Sequence, residues 1–163
     1  MIRAWRIDKA QRTKADAFSG AGGRAVAGRW NSKGSPVVYA ASSLSLAALE
    51  KFVHLGEDGI GIEFVSYEIA IPASIKTTRW KESDMPKDWR GCPAPASTRE
   101  LGDRWFAARR SAVLLVPSIV TPSEFNVLLN PAHQAFTKVK VSDPRAFSFD
   151  PRMWTSREFS GQT

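Results

Sequence analysis

The glycine-rich stretch at residues 19–34 constrains the fold of this chain more than any other feature. Five glycines fall within it, which argues against a regular helix and predicts an irregular loop whose backbone can approach a ligand closely. The spacing is not the dinucleotide-binding fingerprint of a doubly wound fold, because no strand rich in Val and Ile precedes it and no helix follows directly. The sequence therefore predicts a ligand-accessible loop outside that fold class.

A short strand and a helix are predicted to follow the loop. Residues 36–41 form an apolar run typical of a buried strand. Ser42 or Ser43 is a suitable N-cap for a helix that runs to about Leu55 and is stopped by Gly56. Loop, strand and helix are therefore expected to adjoin one another.

Three polar side chains in residues 28–50 occupy unusual places in these elements. Arg29 lies in the glycine-rich loop, Tyr39 interrupts the apolar strand, and Glu50 shares the helix with an apolar stripe. That stripe is predicted to face the core and consists of Leu46, Leu49 and Val53. Arginine can grip a diphosphate with two hydrogen bonds, an aromatic face can accept a cationic ring, and a carboxylate can stabilise positive charge on a sugar. This set suits a pyridine dinucleotide whose glycosidic bond is to be broken.

The length and composition predict one globular domain over residues 1–163. Hydrophobic residues make up 43% of the chain, which is enough to bury a substantial core. Its single cysteine, Cys92, excludes an internal disulfide and gives no metal-ligand pair. The single cysteine suits the reducing cytoplasm, and no apolar run reaches the roughly 18 residues that a membrane helix needs, so we expect a cytoplasmic protein that does not span a membrane. The net charge of +7 is compatible with nucleic acid, an acidic protein or a phosphorylated small molecule, but the basic residues are scattered.

The rest of the chain predicts a mixed α+β fold in which strands predominate. Residues 2–7 are predicted to form a strand or an edge element, residues 77–98 a long irregular connection, and residues 101–110 a helix. Further strands are predicted at residues 62–71, 112–116, 124–129 and 136–141. The expected architecture is a single compact domain of mixed, mostly antiparallel sheets with a few helices.

Each candidate side chain also has a purely structural interpretation. Arg29 can hold its loop by bonding carbonyls or the carboxylate of an acidic neighbour. Tyr39 can be a strand tyrosine with a buried ring and a satisfied hydroxyl, and Glu50 can extend into solvent at the helix edge. Ser118 follows a proline at a predicted strand end, where serine is ordinary turn chemistry. We assign the remaining candidates structural roles, which are turns for Asn126 and His133 and the core for Trp30 and Trp105.

The ordered motifs of the chain resemble the RES domain family, the toxin components of bacterial RES–Xre toxin–antitoxin pairs. These motifs span nearly the whole chain and are WRI at 5–7, GRWNSKGSPVVYAASSLSLAALE at 28–50, VPS at 116–118, NVLLNPAH at 126–133 and FDPRMW at 149–154. The arginine, glutamate and serine after which the family is named map onto Arg29, Glu50 and Ser118. A family tyrosine is matched by Tyr39.

The resemblance implies a compact fold similar to ADP-ribosyltransferase toxins and an enzyme that consumes NAD. Glu50 and Arg29 are then the catalytic candidates, and Arg29, Tyr39 and Ser118 the NAD-binding candidates. NAD is a substrate rather than a resident cofactor, and no metal is required because nicotinamide is already a cationic leaving group. The resemblance also implies a bacterial, cytoplasmic protein with a cognate Xre-type antitoxin that blocks the active site. It implies no direct nucleic-acid contact by the toxin alone.

Three functions stay open beside cleavage of NAD by water or phosphate. The first is an ADP-ribosyltransferase that modifies a host protein. The second is a basic domain that binds or cuts RNA, against which the scarcity of histidine argues. The third is a non-catalytic interaction domain in which Arg29 and Glu50 merely form an internal ion pair.

Overall fold

A mixed sheet forms the centre of the part of the chain that the computed structural model describes, residues 1–55 and 61–154. Its eight strands are β1 (Ile2–Lys9), β2 (Val38–Ala41), β3 (Phe64–Ile71), β4 (Thr77–Arg79), β5 (Val113–Pro117), β6 (Phe125–Leu129), β7 (Lys140–Val141) and β8 (Arg145–Phe147). Four α-helices accompany them in these ranges: α1 (Lys14–Phe18), α2 (Ala21–Ala25), α3 (Leu44–Val53) and α4 (Ala96–Ala108). None of the helices described is long and apolar enough to cross a membrane.

The strand order is β4-β5-β6-β2-β1-β3-β7, with β8 also pairing β3. All pairs are antiparallel except β4 with β5. The predicted α+β class with mostly antiparallel pairing is confirmed, although the described strands form one sheet rather than several. The strand predicted at residues 2–7 lies between β2 and β3, so β1 is an internal strand and not an edge.

Alternate residues of the strands pack into different cores, as the two-residue period of a strand requires. Leu114, Val116 and Leu128 pack with a cluster of aromatic residues, whereas Val113 and Leu129 belong to a separate core. The aromatic cluster contains Trp30, Trp89 and Trp105. Helix α4 approaches this cluster closely at Gly102, where an added Cβ would collide with the backbone of Trp30. Glycine at this position therefore allows the helix to lie directly on the loop.

Helix α3 begins where the sequence predicted but presents a different face to the sheet. The hydroxyl of Ser43 accepts a hydrogen bond from the Leu46 amide at 3.0 Å and caps the helix. Leu46 is fully buried, whereas Leu49 and Val53 are 38% and 57% exposed, so the predicted buried stripe is wrong for these two residues. The side of the helix that packs on the protein instead includes Ala47, which is 7% exposed, and Glu50, which accepts hydrogen bonds from Ser118 and Asn126. The predicted stop at Gly56 lies outside the described residues.

Two other predicted elements differ from the structure. The strand predicted at residues 136–141 is instead the second half of a 3₁₀ turn, Gln134–Lys138, followed by the two-residue strand β7. Phe136 and Val139 both pack on the core, and their three-residue spacing suits the 3₁₀ period better than the period of a strand.

The connection at residues 77–98 is more regular than predicted. It contains β4, a 3₁₀ turn at Glu82–Asp84 and the start of α4, which begins before the predicted residue 101. Two short helices also accompany the glycine-rich loop: α1 directly precedes it, and α2 lies in residues that were expected to be irregular. Each has only five residues, too few to show a helical period in the sequence.

Candidate active site

Glu50 is held through one of its two carboxylate oxygens. Its Oε1 accepts a hydrogen bond from the Ser118 hydroxyl at 3.0 Å and another from the Asn126 side-chain amide at 2.8 Å. Among the described residues, no protein group donates a hydrogen bond to Oε2. The carboxylate, which is half-buried, therefore has a fixed orientation and a second oxygen available to a ligand.

Ser118 lies directly after β5 and is completely buried. Its Oγ accepts hydrogen bonds from the amides of Val120 and Thr121, at 3.0 and 3.1 Å. Because a hydroxyl has two lone pairs and one proton, these two bonds direct its proton to Glu50. The prediction that Ser118 lies at a strand end is confirmed.

Asn126 is a site residue that the sequence interpretation missed, since a turn role was favoured for it. It lies within β6, where it pairs with Ala41 of β2 and Val116 of β5, and its amide points to Glu50. The two-residue period of a strand could have identified Asn126. Val127 and Leu129 belong to one buried face of the sheet, so Asn126 and Leu128 lie on the other. An amide in that position needs a polar partner.

Arg29 is anchored at one nitrogen of its guanidinium. Nη1 donates to the carbonyls of Trp89 and Gly91, at 2.6 and 3.0 Å, so the side chain joins the glycine-rich loop to the loop before α4. Nε and Nη2 have no acceptor among the described residues. These two nitrogens form one edge of the guanidinium, and such an edge can bond two oxygens of a phosphate or carboxylate. Carbonyl bonding and ligand binding are therefore compatible at this residue.

Tyr39 fixes the glycine-rich loop through its hydroxyl. The oxygen accepts a hydrogen bond from the Trp30 amide at 3.0 Å and donates one to Oδ1 of the fully buried Asn31 at 2.8 Å. The Asn31 amide in turn donates to the carbonyls of Gly23 and Ser32. The satisfied hydroxyl that we expected for a strand tyrosine is confirmed, while the side chain stays partly exposed.

Asn31 is a second polar residue that the sequence interpretation did not single out. It bonds backbone groups on both sides of the loop, including the amide of Gly28 at 3.0 Å. Gly28 itself has no room for a side chain, because an added Cβ would lie 2.7 Å from both Asn31 Oδ1 and Tyr39 Oη. The consecutive residues of the motif at 28–31 therefore form one interlocked unit.

The pKa values of Arg29 and Tyr39 both respond to neighbouring groups, including Glu50. Burial lowers the pKa of Arg29, and the acidic groups of Cys92, Glu50 and Tyr39 oppose that change. Burial raises the pKa of the Tyr39 phenol far above its ordinary value, so the hydroxyl remains protonated and can donate to Asn31. Glu50 raises and Arg29 lowers this same pKa. The structure therefore brings Arg29, Tyr39 and Glu50 into one electrostatic environment.

The sequence comparison assigns this chain to a family. The sequence profile of the RES domain matches residues 3–150. The chain belongs to the RES domain family. A relative from Yersinia enterocolitica named Toxin Res is 41% identical over 144 residues, covering 88% of this chain and 94% of the relative. A relative from Sphingobium named Prs ADP-ribosylating toxin is 40% identical over 152 residues, covering 91% of this chain and 94% of the relative.

The fold of this RES domain is also similar to a solved structure. The crystal structure of the M. tuberculosis MbcT–MbcA toxin–antitoxin complex contains a chain that superimposes with a TM-score of 0.73. The match covers 94% of this chain and 86% of the other, with 14% sequence identity. At that identity the similarity concerns the fold alone.

The other residues considered in the sequence analysis have structural roles in this RES domain. His133 accepts a hydrogen bond from the Ala135 amide in a turn beyond the far end of β6, which confirms its turn role. Trp30 and Trp105 are buried, at 1% and 6% exposure, so their assignment to the core is confirmed. No group of three His, Cys, Asp or Glu residues is clustered to hold a metal within residues 1–55 and 61–154.

The structure contradicts the internal ion pair between Arg29 and Glu50. Both residues are described, and they are not within ion-pair distance of each other. Arg29 bonds backbone carbonyls and Glu50 bonds two neutral side chains. Neither charge is neutralised by the other through direct contact.

Proposed function

We propose that this RES domain is an enzyme that cleaves the bond between nicotinamide and ribose in NAD and acts as the toxin of a toxin–antitoxin pair. The way in which Glu50 is held carries the proposal. Ser118 and Asn126 bond one carboxylate oxygen, and the other has no protein donor in the described residues. A carboxylate fixed in this way can stabilise developing positive charge without reorganising during the reaction.

Cleavage of this bond needs stabilisation of positive charge rather than a general acid. The nicotinamide ring of NAD is a cation, so it leaves as a neutral molecule when the bonding electron pair moves onto the ring nitrogen. The ribose carbon then gains oxocarbenium character, which the negative charge of Glu50 stabilises. Attack by water releases a proton and gives ADP-ribose, whereas attack by inorganic phosphate gives a phosphate ester of ADP-ribose.

Arg29 and Tyr39 bind the diphosphate and the nicotinamide of the substrate, respectively, in this proposal. The free Nε–Nη2 edge of Arg29 bonds two oxygens of the NAD diphosphate, while Nη1 remains on the carbonyls of Trp89 and Gly91. The partly exposed ring of Tyr39 contacts the cationic nicotinamide. Its hydroxyl does not exchange protons with the substrate, because it is bonded to Asn31 and its pKa is raised by burial.

Ser118 acts on Glu50 rather than on NAD in this proposal. The direct substrate contact implied by sequence resemblance is replaced by a positioning role, because the buried hydroxyl uses both lone pairs and its proton within the protein. Asn126 has the same role from the neighbouring strand. Substitution of either residue is expected to lower kcat more than it raises KM.

The names of the relatives support a toxin, and one of them favours a second candidate function. The Yersinia relative is named Toxin Res, and the similar fold comes from a toxin–antitoxin complex. We propose by extension that this chain has a cognate antitoxin of Xre type. The Sphingobium relative is named for ADP-ribosylation of Prs, which favours transfer of ADP-ribose to a protein as the alternative.

The test measures nicotinamide release from NAD by the purified protein, with and without inorganic phosphate. Glu50→Gln keeps an oxygen that can accept the bonds from Ser118 and Asn126 but removes the charge, so release should fall by about two orders of magnitude or more. Glu100→Gln, which removes a carboxylate from the exposed surface of α4, is the matched control and should be unaffected.

Each outcome of this experiment has a distinct meaning. Charge-dependent release supports cleavage, and its dependence on phosphate identifies the acceptor. An absence of release, together with labelling of a lysate protein by NAD carrying a labelled adenine, would favour the transferase. Release that is equal in Glu50→Gln and the parent protein would exclude the proposed mechanism.

A further inference from the structure

A cleft lies at the ends of β4, β5 and β6. It has a volume of about 310 Å³ and is lined by Arg79, Lys81, Glu82, Pro117, Pro122 and Phe125, with Trp80 between the two cations. Pro117 and Phe125 directly precede Ser118 and Asn126 in the chain. Because successive strand residues point to opposite faces, Phe125 faces away from the Glu50 site. The cleft and the candidate active site therefore lie on opposite faces of the same strand ends.

The residues that line the cleft carry two positive charges and one negative charge, and Asp84 accepts a hydrogen bond from the Lys81 backbone amide at 2.8 Å. Neither Arg79 nor Lys81 has an ion-pair partner among the described residues. The carboxylate of Glu82, in contrast, accepts a hydrogen bond from Arg90 at 2.7 Å. Two unpaired cations and one paired carboxylate leave the cleft suited to a ligand with negative charge.

The two cations are held by a backbone segment that is itself fixed. The guanidinium of Arg79 lies over the Phe125 ring, 4.1 Å from its centre, so its hydrogen-bonding nitrogens have a defined plane. Trp80 donates its backbone amide to Leu115 at 2.9 Å, and its ring packs on Trp30 with centroids 5.8 Å apart. The backbone of Lys81 is extended, with φ −99° and ψ 166°. This arrangement limits the movement of the segment from 79 to 81.

We propose that this cleft binds an extended acidic segment of a partner protein. Arg79 and Lys81 are two residues apart on an extended edge of the sheet, and side chains of an extended peptide alternate with the same period. Two carboxylates at alternate positions of the segment can therefore bond the two cations.

The cleft fits an acidic peptide better than RNA. Single-stranded RNA is bound largely by stacking of its bases on exposed aromatic faces. Phe125 already carries the Arg79 guanidinium on one face, and the Trp80 ring packs on Trp30. Carboxylates need the donors of Arg79 and Lys81 but no aromatic face, and the chain's net charge of +7 attracts an acidic partner over a longer range.

The experiment measures binding of a fluorescein-labelled peptide of alternating glutamate and valine by fluorescence anisotropy. A peptide of alternating glutamine and valine is the neutral control. Every protein in the assay carries Glu50→Gln, so the result does not depend on NAD turnover. The acidic peptide should bind about tenfold or more tightly than the neutral peptide, since each carboxylate forms a charge-assisted bond.

Two matched double variants distinguish binding in the cleft from attraction by the overall charge of the protein. Arg79→Gln with Lys81→Gln should weaken binding about tenfold or more. Lys138→Gln with Lys140→Gln removes the same charge from exposed residues with the same spacing near the opposite edge strand, β7, and should change binding less than about twofold. Arg79→Lys keeps the charge but loses the planar fork, and should give an intermediate loss even if the first double variant misfolds.

The proposal has clear contrary results. Equal weakening by both double variants would show that only overall charge attracts the peptide. Failure of the acidic peptide to bind, or tighter binding of a single-stranded RNA hexamer through Arg79 and Lys81, would also overturn it.

Discussion

Asn126→Leu provides the sharpest test of how the site holds its carboxylate. Leucine has roughly the shape of asparagine but cannot donate a hydrogen bond. The substitution therefore removes the 2.8 Å bond to Glu50 Oε1 and leaves Ser118 as its remaining donor in the described structure. Because Asn126 lies inside β6 with partners on both sides, the strand itself should keep its register.

The expected effect follows from the strength of the lost bond. A hydrogen bond to a charged group contributes about 1.5–3 kcal/mol. If that free energy serves to orient the carboxylate in the transition state, kcat for nicotinamide release should fall roughly 10- to 100-fold, since about 1.4 kcal/mol corresponds to a factor of ten. KM for NAD should change less than about threefold, because Arg29 and Tyr39 are unaltered.

Asn126→Asp adds a second measurement, the pH dependence of activity, which a merely structural role of Asn126 would leave unchanged. An aspartate beside Glu50 places two carboxylates together, so the pKa of one of them rises. At neutral pH the variant should be as inactive as Asn126→Leu, but its activity should recover partly at lower pH, where the introduced carboxyl group is protonated and can donate to Glu50. A folded Asn126→Leu protein with unchanged kcat, or pH profiles that are identical for the two variants, would refute the positioning role.

Four further substitutions test the rest of the site. Ser118→Ala should lower kcat and also reduce the unfolding free energy in urea by at least about 2 kcal/mol, because two backbone amides lose their acceptor. Arg29→Lys should raise KM for NAD about 10- to 100-fold in steady-state kinetics, since lysine cannot bond the two carbonyls and a diphosphate together. Gly28→Ala should destabilise the protein by about 1–3 kcal/mol in a thermal melt, because its Cβ would crowd the Tyr39 hydroxyl. Burial raises the pKa of Tyr39, so the stability that its neutral phenol contributes is complete below about pH 10 and is lost as the pH rises above that value. In urea melts, the unfolding free energy of Tyr39→Phe should therefore fall less at alkaline pH than that of the parent protein.

Much of the site's framework could be predicted from local sequence. The strand around Tyr39, the serine cap of α3 and the place of Ser118 after β5 all depend on neighbours along the chain. Resemblance to the RES domain family then identified Arg29, Tyr39, Glu50 and Ser118, of which Glu50 and Ser118 are joined by a hydrogen bond. The partners of Glu50 were not predicted, because they come from β5 and β6, far along the sequence.

The wrong face of α3 has the same physical origin. Leu49 and Val53 looked like core residues because apolar residues at helical spacing usually face the core. The buried residues of the helix are in fact Leu46 and Ala47, and Glu50 bonds side chains at the end of β5 and within β6. Periodicity within a helix cannot report donors that lie on a different element.

The hydrogen bonds between Ser42 and Phe125 help to position both Glu50 and its amide donor, Asn126. Ser42, between β2 and the cap of α3, donates its amide to the carbonyl of Phe125 at 2.9 Å, and its hydroxyl accepts from the Phe125 amide at 3.1 Å. Asn126 is the next residue of β6, and α3 starts two residues after Ser42. A slip of β6 by one residue would turn Asn126 to the other face of the sheet. The bonds at Ser42 therefore tie the start of the helix that carries Glu50 to the register of the strand that holds it.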